Sequence, residues 1–171
     1  VIEVIDNFLT AEQAAKLENH AKNCEYARNQ FSDRDATTSN LRFAHRFDPK
    51  LFDQTDIMEA VREKLGDVEL IGAYINAADF ATSTLSHADD YDEKCVSVLL
   101  YLNREWSVDY QGATMFFDGF GSSDVLKAVM PKSRRAAIFD SNIWHMACSP
   151  SHHAPVRYTL AIKLKRNKAT E

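Results

Sequence analysis

The feature that most constrains this chain is a change of rhythm near residue 68. From there to residue 166 the sequence breaks into short β-type runs: VELIGAYI, KCVSVLLYLN, ATMFFD, VLKAVM, RRAAIFD, WHMAC and VRYTLAIKLK. Each is rich in aliphatic, aromatic or β-branched residues. Turn formers separate them, among them Gly112, Gly119, Gly121, Pro131, Pro150 and Pro155, which is the punctuation of strands. With a short piece around Leu85 to Asp89 the runs number about eight. Eight short antiparallel strands in one domain suggest a double-stranded β-helix, or jelly roll, rather than an α/β fold.

The segment before residue 67 reads differently. Val1 to Phe8 alternates like a short strand. Thr10 is a good helix N-cap, and Gln13 three residues on completes a capping box. The helix that follows is expected to reach about Cys24, with Ala14, Leu17 and Ala21 on one face. Residues 27 to 50 are polar and without period, and are expected to form a long loop with a short strand near Leu41 to Phe47. A second helix is expected from about Gln54 to Leu65, stopped by Gly66. The two helices would brace one sheet from outside. A length of 171 residues fits one domain, with residues 1–66 as an N-terminal strand, helices and loop, and residues 67–166 as the jelly-roll core.

Composition narrows the class of partner. Hydrophobic residues make up 45% and charged residues 26%, which is the balance of an ordinary globular protein and not of a disordered one. A formal net charge of −5 argues against a general nucleic-acid binder, since that role needs a basic surface. No apolar run approaches transmembrane length, and VIEVIDNFLT lacks the basic start of a signal peptide. Cys24, Cys95 and Cys148 are odd in number and form no CxxC, so neither a disulfide framework nor a zinc ribbon is expected. Cys95 and Cys148 read as buried small hydrophobes. A reducing, cytoplasmic location is the expectation.

Chemistry enters at His87-Ala88-Asp89. On a strand, residues i and i+2 project to the same face, so an imidazole and a carboxylate would reach one point. Alone, this triplet is close to chance in an acidic chain with six His. A third donor, His145, lies in a strand-like run well downstream, where jelly-roll topology can make distant strands neighbours. Two His and one carboxylate form a facial triad suited to Fe(II), with three positions left open. Taken singly, His145 reads equally well as a satisfied core histidine. Arg157 opens the last run. Pointing inward, it would require an anion, and a bidentate carboxylate is the natural partner; at the strand edge, it would face water.

The order of these pieces resembles a known family. SHADD, SVLLYLN, QGATMFF, VMPKSRRAAIFDSNIWHMACS and VRYTLAIKLK together resemble the 2-oxoglutarate/Fe(II)-dependent dioxygenases, close to their prolyl-4-hydroxylase-like branch. VIEVIDNFLTAEQAAKLENHA resembles the first strand and helix of that branch. The match is poorest over residues 25 to 70.

The resemblance implies that His87, Asp89 and His145 ligate iron. It implies that Arg157 pairs with the distal carboxylate of 2-oxoglutarate, with Thr159 donating to the same group. Tyr74 is a further candidate for a co-substrate contact, and Asn76 and Tyr101 follow it. Fe(II), 2-oxoglutarate as co-substrate and O2 are the implied cofactors, with ascorbate allowed as a fourth. The implied activity is hydroxylation of a C–H bond in a peptidyl substrate, prolyl included, or in a small amino-acid-like one. Asp89 favours hydroxylation over halogenation, because halogenating relatives lack that carboxylate. Only one glycine stands in QGAT where the family often has two, and the Tyr74-to-His87 spacing is long, so proline is not singled out.

Two other readings compete. A cupin-type metal jelly roll would need a further His or Glu ligand, and no HxH…E set exists. A non-enzymatic binding module would leave the set of ligands and Arg157 without a purpose. Among the remaining residues, Asp90, Asp92 and Glu93 read as a solvated turn. Trp144 would pack on the face opposite His145, and His152 and His153 are expected in an exposed loop. Lys132, Arg134 and Arg135 read as a solvated turn face. Arg28, Arg34, Arg42, His45 and Arg46 mark residues 27 to 50 as the expected region of substrate selection.

Overall fold

The structure is a computed structural model, and it describes residues 1–31, 40–82 and 84–167. Ten strands form two antiparallel sheets. The larger has the order β1 (Ile2–Ile5), β8 (Ala136–Asp140), β5 (Cys95–Tyr101), β10 (Arg157–Arg166), β4 (Val68–Ala78), β3 (Asn40–Arg46) and β2 (Ala27–Phe31). The smaller has the order β7 (Val125–Val129), β6 (Thr114–Phe117) and β9 (His145–Ala147). The piece around His87 adds to β9 through an isolated bridge between His87 and His145. The expected jelly roll is therefore the observed architecture, with that piece present as a single bridge.

The central strands explain their own sequences. Every residue of β5 is buried, because both faces are covered. Val96, Val98 and Leu100 join Ala136, Ile138, Leu160 and Ile162 in a core on one side of the large sheet, against Leu17, Ala21, Met58 and Val61 of the helices. Leu99 and Tyr101 point the other way, into a second cluster with Phe116, Val129, Phe139 and Ala161 between the two sheets. Full burial of one such aliphatic side chain stabilises the fold by about 1.5–3 kcal/mol. The inner face of β10 thus carries Arg157, Thr159, Ala161 and Lys163, and the register sets them opposite Ala78, Asn76, Tyr74 and Gly72 of β4.

The helices form as their caps dictate. In α1 (Ala11–Asn23) the Thr10 side chain accepts from the Gln13 backbone and the Gln13 side chain closes the box. In α3 (Asp56–Leu65) Thr55 caps the start, and Gly66 at φ 78° ends it in a left-handed conformation that favours glycine. A short α2 (Pro49–Phe52), capped by Asp48, precedes it.

In residues 27 to 50 the strand expected near Leu41 to Phe47 is present as β3, and β2 corrects the expectation of loop before it. The two strands pair with each other and extend the sheet beyond β4. Backbone hydrogen bonding to an open strand edge fixes β2, so side-chain alternation carried no signal there. Residues 32–39 of that stretch, Arg34 included, lie outside the described residues.

The turn at residues 132–135 is a second correction. Lys132 and Arg135 both pair with Asp6 at 2.5 and 2.7 Å, and Arg134 Nε donates to the Leu9 carbonyl at 2.7 Å. These cations tether the N-terminal strand and are not merely solvated. Cys95 is buried, whereas Cys148 is only half-buried; all three cysteines are free thiols. Among the described residues no helix is long and apolar enough to cross a membrane.

Candidate metal centre

Backbone pairing brings the two histidines together. His87 N–H donates to the His145 carbonyl at 3.0 Å, and His145 N–H returns the bond at 2.9 Å. Their rings lie 4.5 Å apart. The Asp89 N–H donates to the Ser141 carbonyl at 2.8 Å, which turns the carboxylate toward both rings. Its oxygens stand 3.6 Å from His87 Nε2 and 3.5 Å from His145 Nε2. The three residues form a cluster whose donor atoms all lie within 4.8 Å of one another.

The tautomers suit a metal. His87 Nδ1 is 3.0 Å from the Leu85 carbonyl, and His145 Nδ1 is 2.9 Å from the Ile143 carbonyl. A carbonyl can only accept, so each Nδ1 carries a proton, and Nε2 is the nitrogen that faces Asp89 and would take a metal on losing its own proton. Phe139 and Phe116 pack on His145 at 4.7 and 6.0 Å between ring centroids and hold that ring in place. The Leu85 carbonyl orients the His87 ring.

Asp89 has two partners that sequence reasoning missed. Ser97 Oγ donates to it at 2.7 Å, and the Lys163 ammonium contacts the same carboxylate oxygen. Burial alone would raise the Asp89 carboxyl. The positive charge of Lys163, with His145 and His87, outweighs that and holds it well below the usual carboxylate range. The site is therefore built for a cation at the carboxylate, with Lys163 standing where positive charge is required. A signal was present in VRYTLAIKLK, because Lys163 sits six residues from Arg157 and so on the same strand face.

The same pocket extends along β10 to Arg157, which is only 4% exposed. One guanidinium nitrogen, Nη1, donates to the Gly112 and Cys148 carbonyls. Its Nε is buried without a hydrogen-bond partner, as are Thr159 Oγ1 and Asn76 Oδ1. Among the described residues no carboxylate pairs with Arg157. Burial pushes its guanidinium down from the ordinary range, the signature of a cation taken out of water uncompensated. A carboxylate-bearing ligand fits this end, since it would pair the charge and satisfy the orphaned donors. Gly112 makes the arrangement possible: at φ 75° an added Cβ would meet Trp106 at 3.3 Å and Arg157 at 3.6 Å.

Tyr74 and Asn76 line the pocket as expected. Tyr101 does not: it is buried in the inter-sheet core, with its hydroxyl donating to Thr114 Oγ1 at 2.8 Å. Trp144 packs away from the pocket against Phe120, and His152 and His153 are exposed. Of the cations expected to select substrate, Arg46 lies 5.7 Å from the Tyr74 ring. His45 instead turns toward α1. No further His, Cys, Asp or Glu joins the cluster of His87, Asp89 and His145 among the described residues, which removes the ligand set that a cupin site needs.

Comparison with known proteins agrees with this geometry. The sequence profile of the 2OG-Fe(II) oxygenase superfamily matches residues 74–163, just over half of the chain. No curated protein matches the sequence. Among solved structures, a Pseudomonas putida prolyl-4-hydroxylase is similar at a TM-score of 0.69 and 18% identity, covering 98% of this chain and 93% of the other. A Trichoplax adhaerens prolyl hydroxylase, solved with a peptide fragment of the hypoxia inducible factor oxygen degradation domain, is similar at a TM-score of 0.70 and 16% identity, covering 96% and 83%. HygX from Streptomyces hygroscopicus, solved with nickel and 2-oxoglutarate bound, is similar at a TM-score of 0.70 and 11% identity, covering 97% and 83%. At these identities the structural likeness speaks for the fold.

Proposed function

We propose that this chain, which belongs to the 2OG-Fe(II) oxygenase superfamily and is a 2-oxoglutarate-dependent dioxygenase using Fe(II), hydroxylates a C–H bond of a peptidyl or small amino-acid-like substrate. Prolyl peptides are the first class to test, because the similar structures include prolyl hydroxylases, one of them holding a peptide. In this reading His87, Asp89 and His145 hold the iron, Arg157 and Thr159 receive the distal carboxylate of 2-oxoglutarate, and Tyr74 lines the co-substrate channel. Bound together, iron and 2-oxoglutarate supply the oxidation, with O2 as the oxidant.

The observation that carries the reading is the pairing of opposites in one pocket. Three side chains able to hold a metal lie together at one end, and a buried guanidinium with no carboxylate partner among the described residues lies at the other. That combination asks for a metal together with a dicarboxylate. The chain's own residues do the positioning. The Leu85 and Ile143 carbonyls hold the imidazole N–H groups. Ser97 and Lys163 steady the carboxylate. Arg46 lies 5.7 Å from the ring of Tyr74, which lines the pocket, so its charge is within reach of a peptide backbone or a small carboxylate bound there.

The experiment is succinate release with Fe(II), 2-oxoglutarate and O2 against a panel of prolyl and non-prolyl peptides and free amino acids. Mass spectrometry reads the gain of one oxygen atom. Succinate formation that responds to a peptide or an amino acid, with that mass gain, supports the reading. Release that no member stimulates removes the substrate class. No release at all, with iron bound, removes the assignment of the site.

A further inference from the structure

We propose that His20, Cys24 and His45 form a second metal site, separate from the pocket, that takes a borderline cation such as Zn2+ through two imidazoles and one thiolate. His20 and Cys24 are four residues apart at the end of α1 and therefore share a face. His45 reaches the same point from β3. The three donor atoms lie within 4.8 Å of one another. Two imidazoles and a thiolate suit zinc far better than a hard cation.

The geometry is specific. His20 Nε2 and His45 Nε2 stand 3.3 Å apart and share a hydrogen bond that a shared cation would replace. Tetrahedral zinc with Zn–N of about 2.0–2.1 Å places two nitrogen ligands ~3.3–3.4 Å apart, so the pair already has the spacing of one edge of that tetrahedron. His45 Nδ1 lies 3.0 Å from the Glu25 carbonyl. That carbonyl can only accept, so Nδ1 carries the proton and Nε2 presents its lone pair, the arrangement that orients a metal-bound histidine. Phe47 stacks on His20 at 5.4 Å and meets His45 edge-on at 5.2 Å, which fixes both rings. Cys24 is a free thiol that makes a weak 3.9 Å contact to the Ala21 carbonyl and lies beside the Tyr26 hydroxyl.

This site lies on the other face of the sheet from the pocket. His45 is paired with Ile75, which belongs to the helix-side core, whereas Tyr74 and Asn76 line the pocket. An ion here would tie α1 to β3. The β2–β3 pair extends the sheet beside β4, so the ion would set how firmly that rim is held. A fourth coordination position is left for water or for a donor from another molecule.

Untagged chain, stripped with a chelator, is titrated with Zn2+ and with Co2+. Wild type is expected to bind two equivalents. Asp89→Ala, which disables the pocket cluster, and Cys24→Ser are each expected to bind one. The thiolate-to-cobalt charge-transfer absorption is expected in wild type and in Asp89→Ala, and to vanish in Cys24→Ser. His20 is exposed, so His20→Gln serves as a second variant that keeps the fold, and it is expected to lose the same equivalent. Absence of any bound equivalent in Asp89→Ala, or a cobalt spectrum in Cys24→Ser identical to wild type, overturns the proposal.

Discussion

Replacing Arg157 by Met separates binding from folding more cleanly than any other change to this pocket. The guanidinium is 4% exposed and has two backbone carbonyls but no carboxylate partner among the described residues. Removing one partner of a buried, hydrogen-bonded charge pair costs about 2–5 kcal/mol. If the distal carboxylate of 2-oxoglutarate completes that pair, its Kd should rise ~30-fold to several thousand-fold, at about 1.4 kcal/mol per factor of ten. Stability should move the other way. Taking away a buried cation with no counter-charge removes a desolvation penalty, so the ligand-free variant should melt no lower than wild type. The assay is thermal unfolding under anaerobic conditions with Fe(II), with and without 2-oxoglutarate. At a hundred times Kd the ligand adds about 2.7 kcal/mol. For a domain of this size that is a rise of roughly 5–10 °C in Tm. Wild type should show it, and Arg157→Met should not at the same concentration. An undiminished ligand-dependent rise in the variant would refute the reasoning, whatever its turnover.

Further outcomes follow from the same contacts. His87→Ala should lose stoichiometric iron, read by metal analysis after gel filtration, together with succinate release. Lys163→Met should tighten iron binding by about tenfold, because a competing cation leaves the carboxylate, while the metal-free protein should lose about 3–5 kcal/mol in urea unfolding through the unpaired buried Asp89. Gly112→Ala should cost about 1–3 kcal/mol by forcing a side chain into a left-handed conformation and should raise the Kd for 2-oxoglutarate by shifting the backbone carbonyl that holds Arg157, both measurable on one purified variant. The metal-free protein should lose stability as pH falls below about 4. Asp6 is held down by hydrogen bonds from Arg135 and then Lys132, and Asp89 by Lys163 and the two histidines against the effect of burial. Both folded-state values lie below the unfolded one, so their contribution is complete above the unfolded value and fades on acidification. Urea unfolding from pH 3 to 7 reads it.

What the sequence made legible divides along physical lines. The strand covered on both faces announced itself, since β5 must be apolar nearly throughout to be buried twice over, and the apolar run Leu160 to Ile162 marks the centre of β10. The α1 and α3 boundaries were legible because capping is local: Thr10 with Gln13, and Gly66 at the end of α3, act within a few residues. The strand near Leu41 to Phe47 was legible and is β3, whereas the edge strand β2 was not, because pairing to β3 satisfies its backbone without asking much of its side chains. In the pocket, His87, Asp89 and His145 could be gathered from order and strand phase. The partners of Asp89 could not be gathered that way. Ser97 and Lys163 meet it only because β5 and β10 are paired at that register. The cluster of His20, Cys24 and His45 was hidden for the same reason, as it joins a helix to a strand twenty residues away. Tyr101, a weak co-substrate candidate by resemblance and a core residue by its apolar run, lies in the core as that run implies.

The most direct test of the pocket is an anaerobic crystal structure with Fe(II) and 2-oxoglutarate, with data collected at the iron edge. The account predicts one anomalous peak bounded by His87 Nε2, His145 Nε2 and the Asp89 carboxylate, Lys163 drawn back from that carboxylate, and the distal carboxylate of 2-oxoglutarate on Arg157 and Thr159. Iron elsewhere, or a co-substrate whose carboxylates leave Arg157 unpaired, would contradict it.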